Sequence, residues 1–330
     1  MANLIAWITS AIIFGSVVMY GAIGELITEK SGHLNLGTPG IMCIGGAFGF
    51  AGAYTYENAV SDPNAAICIL IAIGCGFVSA MIAGLIYCFL TVTLRANQNV
   101  TGLALTIFGT GLAKFFGTYI IPKGAVSTKA DFANKAFATK IPVLSKIGAH
   151  IGDLVFSYGF MMYLAIIIAV VASIFLNRTK TGLNLRAIGE SPATADAAGI
   201  NVTKYKYISM LIGSGITGLG GVYYVLDYNY GTWATAVGDA IEGLAWLSVA
   251  LVIFATWKPL HIIWGSYLFG LCYWAYNFVP AIIGIKVNTY LAQMLPYVVT
   301  IIVLVVGSLR KSRENQGPAS LGLSYFREER

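Results

Sequence analysis

An all-α, polytopic transmembrane helical bundle is the fold class the sequence predicts, on three observations. Hydrophobic residues fill 57% of the 330 positions, charged residues only 10%, and mean hydropathy is +0.76. That leaves too little polar surface to coat a soluble globule of this length. Apolar runs of about 20 residues, enough to cross about 30 Å of hydrocarbon at 1.5 Å per residue, recur from end to end. The polar stretches between them are short, so one membrane domain is expected over 1–330, with no appended enzyme domain.

The runs fall at 4–24, 36–56, 65–94, 100–121, 156–176, 207–226, 244–257, 262–280 and 290–309. This makes about nine spans, with roughly eight to ten compatible. The first lacks a basic leader and a small-residue cleavage pattern and is expected to be retained. Around the start of the second, within 27–41, Gly32, Gly37, Pro39 and Gly40 lie close enough together to break a span in two. The fourth opens on Asn97, Gln98, Asn99 and Thr101, which either cap its cytoplasmic end or join a substrate route. Lys114 sits about two turns from that span's far end, within snorkelling reach of the interface. The seventh is short and flanked by Pro259. Small residues four apart (Gly45 with Gly49, Ala80 with Gly84, Ser214 with Gly218, Thr217 with Gly221) allow close helix approach, and packing within one subunit is the simpler use of them.

Cys43, Cys68, Cys75, Cys88 and Cys272 all lie in apolar runs without metal or redox spacing, and the three histidines are scattered, so no metal site is expected. The net charge of +6 is not a nucleic-acid signal, because the basic residues flank spans instead of forming a stripe. Thirteen Lys and Arg fall in one alternating set of connections: Lys30, Arg95, five in the polar stretch 177–207, Lys258, and five in the tail 310–330. Six fall in the other set, namely Lys123, Lys129, Lys135, Lys140, Lys146 and Lys286. The first set is therefore assigned to the cytoplasm and, by parity, the N-terminus to the outside.

The polar stretch 177–207 contains a short helix with its own start and stop. Ser191 suits an N-cap, Pro192 the first helical position, Ala195, Ala197 and Ala198 the interior, and Gly199 a left-handed terminator. Two turns do not persist alone in water, so this helix must dock. Arg186, Glu190 and Asp196 around it can supply charge-paired register. No G-x-x-x-x-G-K-[ST] occurs in the sequence, so any ATP hydrolysis must come from another subunit.

Three stretches carry a family resemblance. A-I-G-E-S-P-A-T-A-D-A-A-G-I at 187–200, with L-N-L-R before it and N-V-T-K-Y-K-Y after it, resembles the cytoplasmic loop by which permease subunits of binding-protein-dependent ABC importers insert into their ATPase. E-K-S-G-H-L-N-L-G-T-P-G-I-M at 29–42 resembles the E-x-S-G-x-x-N-L-G-x-x-G-x-M signature of the branched-chain amino acid, ribose and nucleoside permease group. N-Q-N-V-T-G-L-A-L-T-I-F-G-T-G-L at 97–112 resembles the fourth-span region of nucleoside importers. The stretch G-D-A-I-E-G-L-A-W at 238–246 departs from the family pattern.

The resemblance implies a bacterial cell-membrane permease working by alternating access, with Arg186, Gly189, Glu190, Ser191, Pro192, Ala195, Asp196, Ala197, Ala198 and Gly199 coupling it to an ABC ATPase. ATP and Mg2+ are then used by that partner, and no cofactor is bound by this chain. The other implied partners are a second permease, in this group a paralogue, and an extracellular substrate-binding lipoprotein; nucleic acid is not among them. The substrate is a small molecule, a nucleoside and preferably a purine nucleoside, with a simple sugar such as ribose as alternative.

For the pathway the candidates are Asn35, Gly37, Asn99 and Thr106 near the signatures, and Asp227, Trp233, Glu242 and Trp246 in a predicted external connection over 227–246. There rings and carboxylates either stack a nucleoside and hold its ribose, or form an aromatic belt and a docking face for the binding protein. An ion-coupled secondary transporter calls for ionisable groups near the midplane of several spans, and a membrane enzyme for a catalytic constellation at one depth; neither pattern is present.

Overall fold

The structure, a computed structural model, describes residues 2–139, 158–284, 288–309 and 316–326. The long helices are α1 (Ala2–Glu29), α2 (Thr38–Ala59), α3 (Ala65–Cys88), α4 (Gln98–Ile120), α6 (Phe160–Arg178), α9 (Val202–Tyr223), α10 (Thr235–Phe254), α11 (Pro259–Ile283) and α12 (Thr289–Leu309). Between them lie the short helices α5 (Asp131–Phe137), α7 (Lys180–Glu190) and α8 (Pro192–Ala197), and the strands β1 (Ser127–Lys129) and β2 (Thr232–Ala234). Among the described residues, six helical stretches are long and apolar enough to cross a membrane: Asn3–Glu29, Ala65–Thr93, Gln98–Ile120, Phe160–Arg178, Val202–Tyr228 and Thr235–Phe254.

Helix starts follow local chemistry. Asn64 accepts from the Ala66 and Ile67 N–H groups to open α3, Asn97 from Val100 to open α4, and Asn201 from Lys204 to open α9. Each supplies a side-chain oxygen to N–H groups that have no partner inside the helix. Pro259 takes the first turn of α11, and that helix ends on Gly284 with φ +77°.

The bundle is built around α9. Its apolar window is 83% buried, against 22% for that of α3, so α9 is central and α3 faces outward. Helix α9 packs against α1, α2 and α3, and small residues set how closely. A Cβ at Gly45 would strike the backbone of Gly218, one at Gly84 would strike Ser214, and one at Gly221 would strike the Met42 carbonyl. The four-residue spacings of small residues therefore serve contacts within this chain.

Basic connections meet at one end. The Trp257 indole N–H donates to Glu29 at 2.5 Å, the Ser320 N–H to the Gly189 carbonyl at 3.0 Å, and the Gly322 N–H to the Gly32 carbonyl at 3.3 Å. The Gln98 side chain donates to Leu323 at 3.3 Å, and the Arg95 guanidinium lies 4.8 Å over the Phe326 ring. At the opposite end β1 and β2 form an antiparallel ladder pairing Ser127 with Ala234, Thr128 with Trp233 and Lys129 with Thr232. Glu57 there accepts from the Phe132 and Ala133 N–H groups, which open α5. Lys140, Lys146, His150, Lys286, Arg310, Lys311, Arg313, Arg327 and Arg330 lie outside the described residues.

Two expectations change. Residues 30–37 do not split a span; they form a loop between α1 and α2 that dips into the bundle, where the Thr106 hydroxyl donates to the Leu36 carbonyl at 2.7 Å. The connection expected over 227–246 is also much shorter. Asp227 belongs to a π-helical turn, Tyr224–Tyr228, that extends α9, and α10 already begins at Thr235. Asp239, Glu242 and Trp246 are thus helical. The carboxylates read as loop because the partner of Asp239 is remote in sequence: Lys114 of α4, at 2.5 Å. Lys114 reaches across to α10 for this pair.

Candidate functional site: a coupling surface and a divided set of polar residues

Residues 179–200 form a compact unit at the basic end. The Thr179 hydroxyl accepts from the Gly182 N–H at 3.0 Å to open α7, and Ser191 Oγ accepts from the Thr194 N–H at 3.3 Å to open α8. Helix α8 closes with the Ile200 N–H on the Ala195 carbonyl at 3.0 Å and the Gly199 N–H on the Asp196 carbonyl at 2.9 Å, with Gly199 at φ +82°. That left-handed residue suits glycine because it has no Cβ to crowd the carbonyl.

Beneath α8, Ala195 packs with Ile188 and Val202 in a small cluster that Ile200, Tyr205 and Tyr325 enlarge. Ala193, Thr194, Ala197, Ala198 and Gly199 are exposed, giving the unit a smooth outer face of small residues. The segment 316–326 straps it down. Ser320 Oγ donates to the Gly189 carbonyl at 2.6 Å, and the Tyr325 hydroxyl to Asp196 Oδ2 at 2.8 Å. Gly189 is tight against the Lys30 backbone and Pro318, so a side chain there would part the strap from the loop.

The charges expected to frame the helix point different ways. Glu190 is exposed, Asp196 is half-buried under Tyr325, and Arg186 turns inward with Lys30 and Lys258 to line a cavity of about 480 Å3. Burial, with the Arg186 charge adding to it, pushes the Lys30 ammonium below its ordinary range.

The eight pathway candidates separate into two sets. Asn35, Gly37 and Thr106 come together at the 30–37 loop, and Asn99 is exposed on the first turn of α4. The Asn35 side chain is occupied within its own loop: its Nδ2 donates to Thr38 Oγ1 at 3.1 Å and its Oδ1 accepts from the Gly37 N–H at 3.1 Å. Asp227 and Trp233 lie at the other end. Trp233 is fully buried beside Gly117 with its ring 5.8 Å from that of Phe50, so it pins β2 and leaves no face for a ligand. Asp227 Oδ2 is buried beside Gly159, without a hydrogen-bond partner among the described residues. Glu242 and Trp246 are half-buried, one turn apart on α10.

The structure also gathers polar groups that the sequence reading passed over. Glu25 and Glu29 of α1 are both buried; Thr38 donates to Glu25, and Trp257 to Glu29. His33 is buried with Nε2 2.7 Å from Thr91 Oγ1, and the Tyr87 hydroxyl donates to the Leu34 carbonyl. These contacts fix the 30–37 loop. The available signal was Glu29 and His33 inside the 29–42 signature, four residues apart and next to an apolar run.

Comparison with known proteins places this arrangement. Residues 7–304 match the family described as the branched-chain amino acid transport system permease component, and the chain belongs to that family. It is a multi-pass membrane protein of the ABC permease class. A candidate glucose ABC transporter permease of Haloferax volcanii is 32% identical over 78% of this chain and 72% of its own length. A nucleoside ABC transporter permease of Lactococcus lactis subsp. cremoris is 30% identical, covering 90% of each chain. A guanosine ABC transporter permease of Bacillus subtilis is 27% identical over 98% of this chain and 97% of its own. No solved structure matches the chain.

Proposed function

We propose that this protein is the membrane subunit of an ATP-driven importer that takes up nucleosides, purine nucleosides by preference, across a bacterial cell membrane. The observation that carries the coupling half of this reading is α8: a helix of six residues, capped at both ends, exposed on a small-residue face and strapped to its own bundle. Such a helix is thin enough for a groove on an ATPase, and its supports transmit force. On this reading all nine long helices are spans, 177–207 is the cytoplasmic coupling loop, 310–330 is a cytoplasmic tail, and the whole chain is one permease domain.

In this scheme closure of two ATPase subunits, which use ATP and Mg2+, displaces α8. Helix α7 passes the movement to α6 and helix α9 carries it into the centre of the bundle, so the pathway opens alternately to each side. A second permease, a paralogue of this chain, completes the pathway, and an extracellular lipoprotein delivers the substrate. The nucleoside assignment rests on the relatives whose names specify nucleoside and guanosine transport and which align over at least nine-tenths of this chain. A sugar is the second reading, favoured by the glucose-type relative at 32% identity.

Uptake of labelled guanosine and ribose into vesicles holding this chain with its cognate ATPase, second permease and lipoprotein tests both readings. Guanosine uptake that needs ATP and the lipoprotein is the expected outcome. Uptake by vesicles holding this chain alone would refute the scheme, and ATP-dependent entry of ribose without guanosine would replace the substrate.

A further inference from the structure

At the end of the bundle opposite the coupling loop, a cavity of about 280 Å3 opens between α1, the π-helical turn of α9, α10, α11 and α12. Its volume falls just below the roughly 300–1,000 Å3 typical of small-molecule sites. Five rings line it: Phe14, Tyr224, Tyr228, Tyr273 and Tyr297. Phe14 and Tyr273 stack at 4.2 Å with 17° between planes, Tyr228 stands edge-on to Phe14 at 6.2 Å, and Tyr224 lies 5.3 Å from Tyr228.

The backbone is arranged for this. A π-helical turn inserts an extra residue into a helix, a feature concentrated at functional sites, and here it spans Tyr224–Tyr228 and sets both terminal rings on the cavity. Helix α10 supplies the facing wall from Asp239, Gly243 and Leu247, spaced one turn apart. Leu247 and Phe14 are buried and close the floor, while Gly243 and Asp239 are exposed at the mouth. A Cβ at Gly243 would meet nothing within 4 Å, so this glycine keeps space open and serves no helix contact. Asp239 holds Lys114 through Oδ1, which fixes a carboxylate at the rim.

We propose that this cavity is a binding subsite for a flat heterocycle carrying a hydroxylated sugar, a nucleoside, on its way through the membrane. The rings stack the base, since an aromatic face holds a planar ligand by area and by offset stacking. The Asp239 carboxylate accepts from ribose hydroxyls at the mouth. The subsite rests on the nucleoside reading above and assigns residues to it. It also moves the aromatic and carboxylate recognition from an external loop into the membrane half of four helices and a π-helical turn.

The test uses the complete transporter, with ATPase, second permease and lipoprotein, in proteoliposomes. Irradiation with 8-azidoguanosine should label peptides containing residues 224–228 or 239–247, and excess guanosine should protect them. Gly243→Leu, which fills the void, should lower guanosine uptake about tenfold or more, as overpacking of a filled site does, and Gly243→Ala should lower it less. Retention of the ATPase on the Gly243→Leu complex verifies that the variant folds. Label confined to other segments, or wild-type uptake by Gly243→Leu, would overturn the subsite and leave the nucleoside reading standing. Failure of the wild-type complex to import guanosine would overturn that reading and the ligand assignment with it.

Discussion

Gly199 holds a backbone angle, φ +82°, that a β-branched residue adopts only at a penalty, roughly 1–2 kcal/mol for the left-handed region alone. Gly199→Val is therefore expected to unwind the end of α8 and abolish substrate-stimulated ATP hydrolysis in the assembled transporter, while the protein still reaches the membrane. Ala197→Asp separates surface from fold, because Ala197 is exposed and buries nothing. It should leave thermal stability unchanged and still remove the stimulation. Wild-type stimulation in both variants would refute the coupling role. Trp257 tests a different kind of residue. Its N–H is the hydrogen-bond donor to the buried Glu29, and Trp257→Phe should destabilise the protein by about 1–3 kcal/mol, the cost of leaving a buried polar group unmatched. Unfolding followed in detergent measures it, and adding Glu29→Gln should recover part of the loss.

At the scale of elements, the strap 316–326 carries the clearest prediction. Tyr325→Phe removes the hydroxyl donated to Asp196, a neutral donor on a carboxylate worth about 1.5–3 kcal/mol, and should loosen α8 without unfolding the bundle. Hydrogen exchange of the 191–199 amides should speed up in that variant and stay unchanged in the amides of α9. Much of α8 was legible in the sequence because its determinants are local: Ser191, Pro192 and Gly199 lie within nine residues and each acts on its own backbone. The first half of helix α10 was not, for the opposite reason. Asp239 and Gly238 read as loop residues in any short window, and what allows a carboxylate in that helix is Lys114 of α4. Trp233 shows the same limit, since its type marked it as a ligand platform while its burial depends on the pairing of β2 with β1, more than a hundred residues away.

For the whole molecule, the basic residues counted into one set of connections gather in space: Lys30, Arg186 and Lys258 line one cavity, and Arg95, Lys204 and Lys206 another. Single cysteines placed on a cysteine-free background give the check: Lys180→Cys should react with a membrane-impermeant maleimide only from the cytoplasmic side, and Lys129→Cys only from outside. Reaction of both from the same side would overturn the topology. The family and its helical class were legible from composition and three motifs. The burial of Glu25, Glu29 and His33 against Thr38, Trp257 and Thr91 was not, because it depends on the tertiary packing around the 30–37 loop.

The strap has a consequence for biogenesis. Ser320 seals a loop whose Gly189 lies 131 residues earlier in the chain. At about 5–20 residues per second, the ribosome delivers that seal on the order of ten seconds after the loop itself. A nascent chain therefore displays α8 unbraced throughout that interval, and the face assigned to the ATPase is finished only after the intervening helices have been made.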